Sequence, residues 1–202
     1  MNMFKVFYCL IFLPLSLHSQ DSPMKGCYSY KSPHYFESID LLENGTFNYI
    51  QKTEFIKTEI TGNWQIRNDS ILVLDSKPQK TKLMVWESKI NGEEAILHIR
   101  DMENNSLNYK LYVISRKGDT LEFKDQFGET VVRENFTSFY IVDSRGLHSP
   151  MYKVQGTSSN LFDVHFETQR VFENEYWIFR KQSIIPLGLD NRHQNYRLSK
   201  QE

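Results

Sequence analysis

Apolar and polar residues alternate along most of the chain, in short runs that are separated by turn residues. In "SIDLLENGTFNYIQ" two such runs flank Asn44-Gly45, the dipeptide that most readily adopts the positive φ angles of a type I′ turn. Because an alternation with a period of two is typical of a half-buried strand, we predict that residues 39–43 pair with residues 46–51.

A second hairpin is predicted directly afterwards. Ile60, Trp64 and Ile66 recur at even spacing, and beyond the polar turn "RNDS" the pattern continues at Ile71 and Val73. Together the two hairpins predict a four-stranded meander over residues 26–75. The residues expected to anchor its packing are aromatic, namely Tyr28, Phe47, Tyr49 and Trp64.

The stretch "SKPQKTK", residues 76–82, contains a proline, three lysines and no apolar residue, as is typical of a linker. After it, "LMVWESKI" and "EEAILHIRD" flank Asn91-Gly92, which predicts another hairpin. Further strand-like runs follow at spacings of about ten residues, which favours a sandwich over alternating strands and helices. We therefore predict a small meander domain at residues 20–77 and a β-sandwich domain at residues 82–202, after a signal peptide at residues 1–19.

Composition supports the same fold class. The chain has 14 phenylalanines and 11 tyrosines but a single alanine, Ala95, so residues that suit a pleated sheet outweigh strong helix formers. We predict an all-β protein, in which a small antiparallel β-meander is followed by a β-sandwich of the transthyretin or immunoglobulin type.

Residues 95–132 resemble the carboxypeptidase regulatory-like, or transthyretin-like, β-sandwich. "ILHIRDMENN" is similar to the family's first strand with its acidic end and polar turn, "YKLYVIS" to the second strand, and "DQFG" to the D-x-x-G turn that follows. The family's usual Gly-Ala before the second strand is replaced by "SLNY". The resemblance implies an exported accessory or interaction domain without a catalytic centre of its own.

The first unit is similar to short meanders of secreted bacterial proteins, through "NGTF" and "TGNW". Some lipocalin-like proteins bind small molecules in such meanders. A carrier of this kind needs a sizeable cavity, and the four or five strands expected here hardly enclose one.

The N-terminus has the layout of a secretory signal peptide. Lys5 precedes an apolar run of about 12 residues, which is shorter than the roughly 20 that a membrane span needs, and the small residue Ser19 follows. We expect cleavage near Ser19, a secreted or periplasmic location, and no transmembrane segment in the mature chain. The "SQ" signal end and the abundance of asparagine, lysine and isoleucine resemble secreted Bacteroidetes proteins of unknown function.

Cleavage leaves 23 basic residues, one fewer than the 24 of the full chain, against 25 acidic ones, a formal charge of −2. This balance does not favour binding to nucleic acid or anionic lipid. Cys27 is the one cysteine left, so an intramolecular disulfide is not possible, and we expect it to be buried and inert.

Motifs for cofactors and metals are missing from the sequence. It contains neither a phosphate-binding glycine loop nor the G-x-S-x-G turn of an α/β hydrolase. Its mature histidines are too far apart for zinc-ligand spacing, and the turn "DQFGE" has too few carboxylates for a calcium loop. We predict no cofactor, no metal and no catalytic or cofactor-binding residue.

Two segments nevertheless combine residues of catalytic type. In "FDVHFE", residues 162–167, strand alternation predicts that Phe162, Val164 and Phe166 are buried, and that Asp163, His165 and Glu167 face solvent. The segment "DSRGLHS", residues 143–149, is predicted to form a reverse turn between two strands.

The preferred hypothesis is a non-catalytic, secreted or envelope-associated module that binds an unidentified protein or carbohydrate partner in the cell envelope. One alternative is an envelope hydrolase, in which His148 or His165 acts with a carboxylate and with Ser144 or Ser149. It requires one histidine to lie in a pocket within reach of both groups. A second alternative is a lipocalin-like carrier of a small molecule.

Overall fold

The structure, a computed structural model, describes residues 24–202, and the predicted signal peptide lies outside them. The fold is all-β and its sheets are mainly antiparallel, which confirms the predicted all-β fold class. In the described part of the chain, no helix has the length and apolar character needed to cross a membrane. The strands are β1 Gly26–Ser32, β2 Tyr35–Leu41, β3 Thr46–Thr53, β4 Lys57–Arg67, β5 Ile71–Ser76, β6 Leu83–Ser88, β7 Ala95–Asp101, β8 Asn108–Ser115, β9 Thr120–Phe127, β10 Glu129–Val132, β11 Phe136–Asp143, β12 Tyr152–Lys153, β13 Leu161–Phe166, β14 Glu175–Arg180, β15 Ser183–Ile185 and β16 Leu198–Lys200.

Eight strands form a closed barrel in the order β1-β16-β15-β14-β5-β4-β3-β2. Strands β1 to β5 form the predicted meander, which has five strands rather than four. Strands β14 to β16 come from the C-terminal end of the chain and pair with β5 on one side and with β1 on the other. Residues 175–200 therefore complete the barrel, and the predicted second unit, residues 82–202, does not coincide with one sheet.

The hairpin predicted around Asn44-Gly45 is present, but its turn is not of type I′, because Gly45 has a positive φ and Asn44 does not. Leu41 pairs with Phe47 across the β2–β3 turn, where Gly45 has a φ of 77°. The predicted anchors Tyr28, Phe47 and Tyr49 are buried, and Trp64 packs against the same core while its indole nitrogen donates to the Leu42 carbonyl at 3.1 Å.

The remaining strands form a second sheet in the order β12-β11-β8-β9-β10-β7-β13-β6. It folds over on itself, because the rings of Phe139 in β11 and Phe162 in β13 lie 6.0 Å apart although several strands separate β11 from β13 in the sheet order. Its two edge strands also meet, since Tyr152 in β12 donates to Glu87 in β6 at 2.8 Å. We call this unit the curled sheet.

The predicted hairpin around Asn91-Gly92 is wrong. Strand β13 lies between β6 and β7, parallel to β7 and antiparallel to β6. The β6–β7 connection is long enough to pass the end of β13, and the Asn160 side chain donates there to the carbonyls of Gly92 and Glu94.

The barrel and the curled sheet are joined by two connections that lie side by side. Residues 77–82 lead from β5 to β6 and residues 167–174 lead from β13 back to β14. Ser76 and Phe172 exchange two hydrogen bonds, through the Ser76 hydroxyl at 2.7 Å and its amide at 2.8 Å. Lysines of the predicted linker, Lys80 and Lys82, form ion pairs with Glu167 and Glu175.

Candidate functional site at the barrel mouth

A cavity of about 380 Å³ opens at one end of the barrel, which we call the barrel mouth. The β1–β2, β3–β4 and β15–β16 connections lie at this end, together with both connections to the curled sheet. Its wall includes the side chains of Tyr30, Tyr35, Glu37, Gln51, Arg170 and Tyr196.

The cross-strand register explains why this end is polar. Tyr28, Ile39, Tyr49 and Ile60 form one inward-facing row across β1 to β4, and these residues are buried in the barrel core. One step nearer the mouth, the next inward row is Tyr30, Glu37, Gln51 and Thr58. Because side chains two apart in a strand share a face, the interior changes from apolar to polar within a single step.

Glu37 lies at the centre of the polar row and is only 2% exposed. Its carboxylate accepts hydrogen bonds from the hydroxyls of Tyr49 at 3.0 Å and Tyr35 at 2.8 Å, and from that of Tyr196. The hydroxyls of Tyr35 and Tyr196 lie 2.8 Å apart, and Gln51 donates to Tyr35 at 2.8 Å. We call these five residues the Glu37 cluster.

The cluster keeps its tyrosines protonated. Burial, and then the charge of Glu37, raise the pKa of Tyr35 to about 12. The same two causes raise the pKa of Tyr196 and that of Tyr49 well above the ordinary value. All three hydroxyls are therefore hydrogen-bond donors at neutral pH.

Arg170 forms another wall of the cavity and is held by a buried ion-pair network. It donates to Glu175 and to the carbonyls of Leu187 at 2.9 Å and Gly188 at 3.3 Å. Glu175 is 4% exposed and also accepts from Lys82 at 3.0 Å and from the Trp177 indole at 2.9 Å. The positive charge of Arg170 is thus paired within the protein.

A second cavity of about 300 Å³ adjoins the first where the barrel meets the curled sheet. The two cavities share Tyr35, Gln51, Arg170 and Leu189 as walls. Leu147 and Ile56 contribute apolar surface to the second cavity, so the cleft becomes less polar away from Glu37. Clefts where two units meet are preferred positions for ligand sites.

The structure places residues 162–166 of "FDVHFE" on β13 in the curled sheet, and Glu167 directly after that strand. Phe162, Val164 and Phe166 are buried as predicted. His165 lies on the other face, with its Nε2 3.9 Å from Asp163 Oδ1 and its ring 5.2 Å from that of Trp86.

The prediction of a solvent-facing Glu167 is wrong, because Glu167 is 4% exposed. Strand β13 ends at Phe166, so the alternation does not extend to this residue. Its carboxylate accepts from Lys80 at 3.0 Å and from the Gln169 amide at 2.9 Å.

The turn predicted at residues 143–149 is confirmed. Asp143 accepts from the amides of Arg145 and Leu147, at 2.9 and 2.8 Å. Ser149 is 3% exposed, and its hydroxyl accepts from the Ile141 amide and donates to the Pro150 carbonyl. The Asp143 carboxylate and the Ser149 hydroxyl are thus both bonded to the backbone of the turn. They are not bonded to each other or to a histidine, as a hydrolase site would require.

The histidines of the hydrolase alternative do not lie in the cavities. His148 stacks on Tyr140 at 5.7 Å, and its pKa is lowered, chiefly by burial. Neither His148 nor His165 contributes to the five principal cavities of residues 24–202. Within the same residues, no cluster of three or more histidine, cysteine or acidic side chains has the geometry of a metal site.

The expectation of a buried Cys27 is wrong, because its side chain is exposed. Tyr28 points into the barrel, so its neighbour on the strand points outward. Partial desolvation, and then the charge of Asp40, raise the pKa of the Cys27 thiol, which disfavours the reactive thiolate.

The Glu37 cluster was not identified from the sequence, although a signal for it exists. Ile39 and Leu41 mark the inward positions of β2, and Glu37 and Tyr35 continue the same phase. A carboxylate in phase with buried positions is a candidate functional group, but the predicted strand began only at residue 39. Comparison of the chain with protein-family models, with curated proteins and with solved structures found no match.

Proposed function

We propose that this protein is an exported binding module without a catalytic centre of its own, and that it holds a small molecule in the barrel mouth. The observation that carries the proposal is the 380 Å³ cavity with the buried Glu37 carboxylate in its wall. Burial of a charged group is costly, and such groups concentrate at sites that use them. An eight-stranded barrel has room for one small ligand, as in lipocalins.

This proposal unites the preferred hypothesis with the carrier alternative. The four or five strands of the meander were expected to be too few to enclose a cavity, which argued against a carrier. Strands β14 to β16 close the barrel and so remove this objection. The tyrosine, glutamine and glutamate side chains favour a ligand with polar groups, while the adjoining apolar cavity leaves room for a hydrocarbon portion.

The experiment is a screen of small polar molecules by amide chemical-shift mapping on the ¹⁵N-labelled protein. A ligand of the barrel mouth should shift residues of β1 to β3 and of the β15–β16 connection. The variant Ser32→Trp should abolish the shifts, because Ser32 lines the cavity and an indole would fill it. Ser70→Trp, in the exposed turn at the opposite end of the barrel, is the matched control and should retain them. Shifts confined to the curled sheet, or equal shifts in both variants, would contradict the proposal.

For the curled sheet we propose the accessory role that the resemblance of residues 95–132 to carboxypeptidase regulatory-like domains implies, towards a protein or carbohydrate of the cell envelope. Trp86, which is 53% exposed on the outer face beside His165, supports an interaction surface. Trp86→Ala should leave binding at the barrel mouth unchanged, since Trp86 is not part of its wall. A loss of small-molecule binding in this variant would contradict the division of roles.

Export is also a proposal. Mass spectrometry of the protein from the periplasm or the medium should find an N-terminus at Gln20 or Asp21. Recovery of the full-length chain in the membrane fraction would contradict it.

A further inference from the structure

We infer that the ligand of the barrel mouth carries a protonated amine, a cationic nitrogen with hydrogens to donate, and that this group binds between the Glu37 carboxylate and the faces of the neighbouring tyrosine rings. The inference rests on the proposed function and specifies its ligand class. Hydrogen bonding, charge and ring geometry each support it separately.

The hydrogen bonds of the Glu37 cluster use up its hydroxyl donors. Each tyrosine hydroxyl has one hydrogen, and those of Tyr35, Tyr49 and Tyr196 are directed to Glu37 or to one another. Gln51 uses one of its two amide hydrogens on Tyr35, which leaves the cluster one spare donor. What the cluster offers to a ligand is therefore mainly lone pairs, on the hydroxyl oxygens, on Gln51 Oε1 and on the carboxylate. A ligand group that donates hydrogen bonds fits such a site.

The charge of Glu37 has no cationic counterpart among the described residues. No lysine, arginine or histidine nitrogen of residues 24–202 is within ion-pair distance of its carboxylate. The nearby Arg170 is paired with Glu175. A carboxylate this deeply buried is stabilised strongly by a cation, and the ligand can supply it.

The aromatic rings add a second source of attraction for a cation. Tyr30 and Tyr196 are stacked, with centroids 4.3 Å apart and planes 21° apart. Tyr35 stands at 65° to Tyr196, with centroids 5.8 Å apart, so the three rings form a corner. The negative face of an aromatic ring attracts ammonium groups, most strongly where water is excluded.

The test compares three probes that share a phenyl ring and differ in charge: phenethylamine, phenethyl alcohol and phenylacetate. Isothermal titration at pH 7 should show that the amine binds at least about tenfold more tightly than the alcohol, as expected for a hydrogen bond to a charged group, with no binding of phenylacetate. Glu37→Gln should remove the preference for the amine. The matched control is Glu122→Gln, since Glu122 also accepts a tyrosine hydroxyl, from Tyr112, but on the curled sheet; it should bind as the wild type does.

Tyr30→Leu provides a test that does not depend on the hydrogen bonds of Glu37. The ring of Tyr30 takes part in the corner, but its hydroxyl makes none of the hydrogen bonds of the Glu37 cluster. A several-fold loss of amine affinity, in a variant that unfolds like the wild type, is the expected result. Equal binding of alcohol and amine, or amine binding that is unchanged in Glu37→Gln and Tyr30→Leu, would overturn the inference.

The two proposals fail in different ways. If neutral molecules shift the residues of the barrel mouth and the amine does not bind, the cationic ligand class is wrong and the proposed function stands. If no small molecule binds at the barrel mouth, both are wrong.

Discussion

The barrel and the curled sheet each contain eight strands, but they use their interiors differently. In the curled sheet the inward positions are mainly aliphatic and phenylalanine side chains, such as Leu97, Val113 and Phe162. In the barrel the core combines aromatic and aliphatic side chains, and the interior changes to Glu37, Gln51 and tyrosine hydroxyls at the mouth. The interior of the curled sheet is thus filled by packed apolar side chains. The barrel is packed in the same way except at the mouth, where a cavity lined by a carboxylate remains.

The largest expected effect is in the core of the curled sheet. Phe166 is 1% exposed, so Phe166→Ala should lower the free energy of unfolding by about 3 to 5 kcal/mol through lost burial and a cavity. Tyr30→Leu at the half-buried barrel mouth should cost about 1 kcal/mol or less. Urea unfolding of both variants measures the difference, and equal losses would remove the distinction between the two interiors.

The second largest loss of stability is expected in the ion-pair network beside the barrel mouth. Glu175→Ala leaves Arg170 and Lys82 without their shared carboxylate, and breaking a buried pair in this way costs about 3 kcal/mol or somewhat more. The matched control is Arg133→Ala, which removes a surface pair with Glu94 and should not change stability measurably. Thermal unfolding compares the two, and a similar shift in both would show that the network is not a special feature of this junction.

Acidification should weaken the contact that joins the two edges of the curled sheet. Burial raises the pKa of Glu87, but hydrogen bonds from the Gln155 amide, Ser159, the Gly156 amide and Tyr152 outweigh this and lower it below the ordinary 4.5. Because the pKa of Glu87 is lower in the folded than in the unfolded state, its ionised form stabilises the fold fully at a pH above the unfolded-state pKa. This contribution to the free energy of unfolding is lost as the pH falls through the folded-state pKa. Glu87→Gln should therefore lose less stability than the wild type between pH 6 and about pH 3, as measured by urea unfolding. Parallel pH profiles would contradict this role of Glu87.

The smallest effect is expected at His165. It lies on the outer face of the curled sheet beside Trp86 rather than in either interior, so His165→Ala should change the unfolding free energy by about 0.5 kcal/mol or less. A larger loss, or an unfolding midpoint that responds to added zinc only when His165 is present, would show that the outer face has a function of its own.

Short-range features of the fold were predictable from the sequence. The hairpin around Asn44-Gly45, the buried phase of Phe162, Val164 and Phe166, and the lack of long helices in residues 24–202 all follow from local patterns. The pairing of β5 with β14 and the insertion of β13 between β6 and β7 did not follow. These pairings join segments far apart in the chain, and alternation shows which residues of a strand are buried but not which strand covers them.

The candidate site was missed for the same physical reason. The Glu37 cluster needs Tyr196 from the last connection of the barrel, and Arg170 comes from the segment that returns from the curled sheet. Glu37 lies just before the predicted strand, and nothing local indicates that a barrel closes around its carboxylate. In "FDVHFE", by contrast, local alternation was sufficient for the residues inside the strand.

The closure of the barrel by its first and last described strands also constrains the order of folding. β1 pairs with β16 across most of the sequence, and the Gln201 amide donates to the Cys27 carbonyl at 2.8 Å, at the end of the barrel opposite the mouth. Closing so long a loop is entropically costly unless the intervening chain is already compact. We therefore expect the curled sheet to form first and to bring Ser76 and Phe172 together, so that the cavity exists only after the last strand has been added.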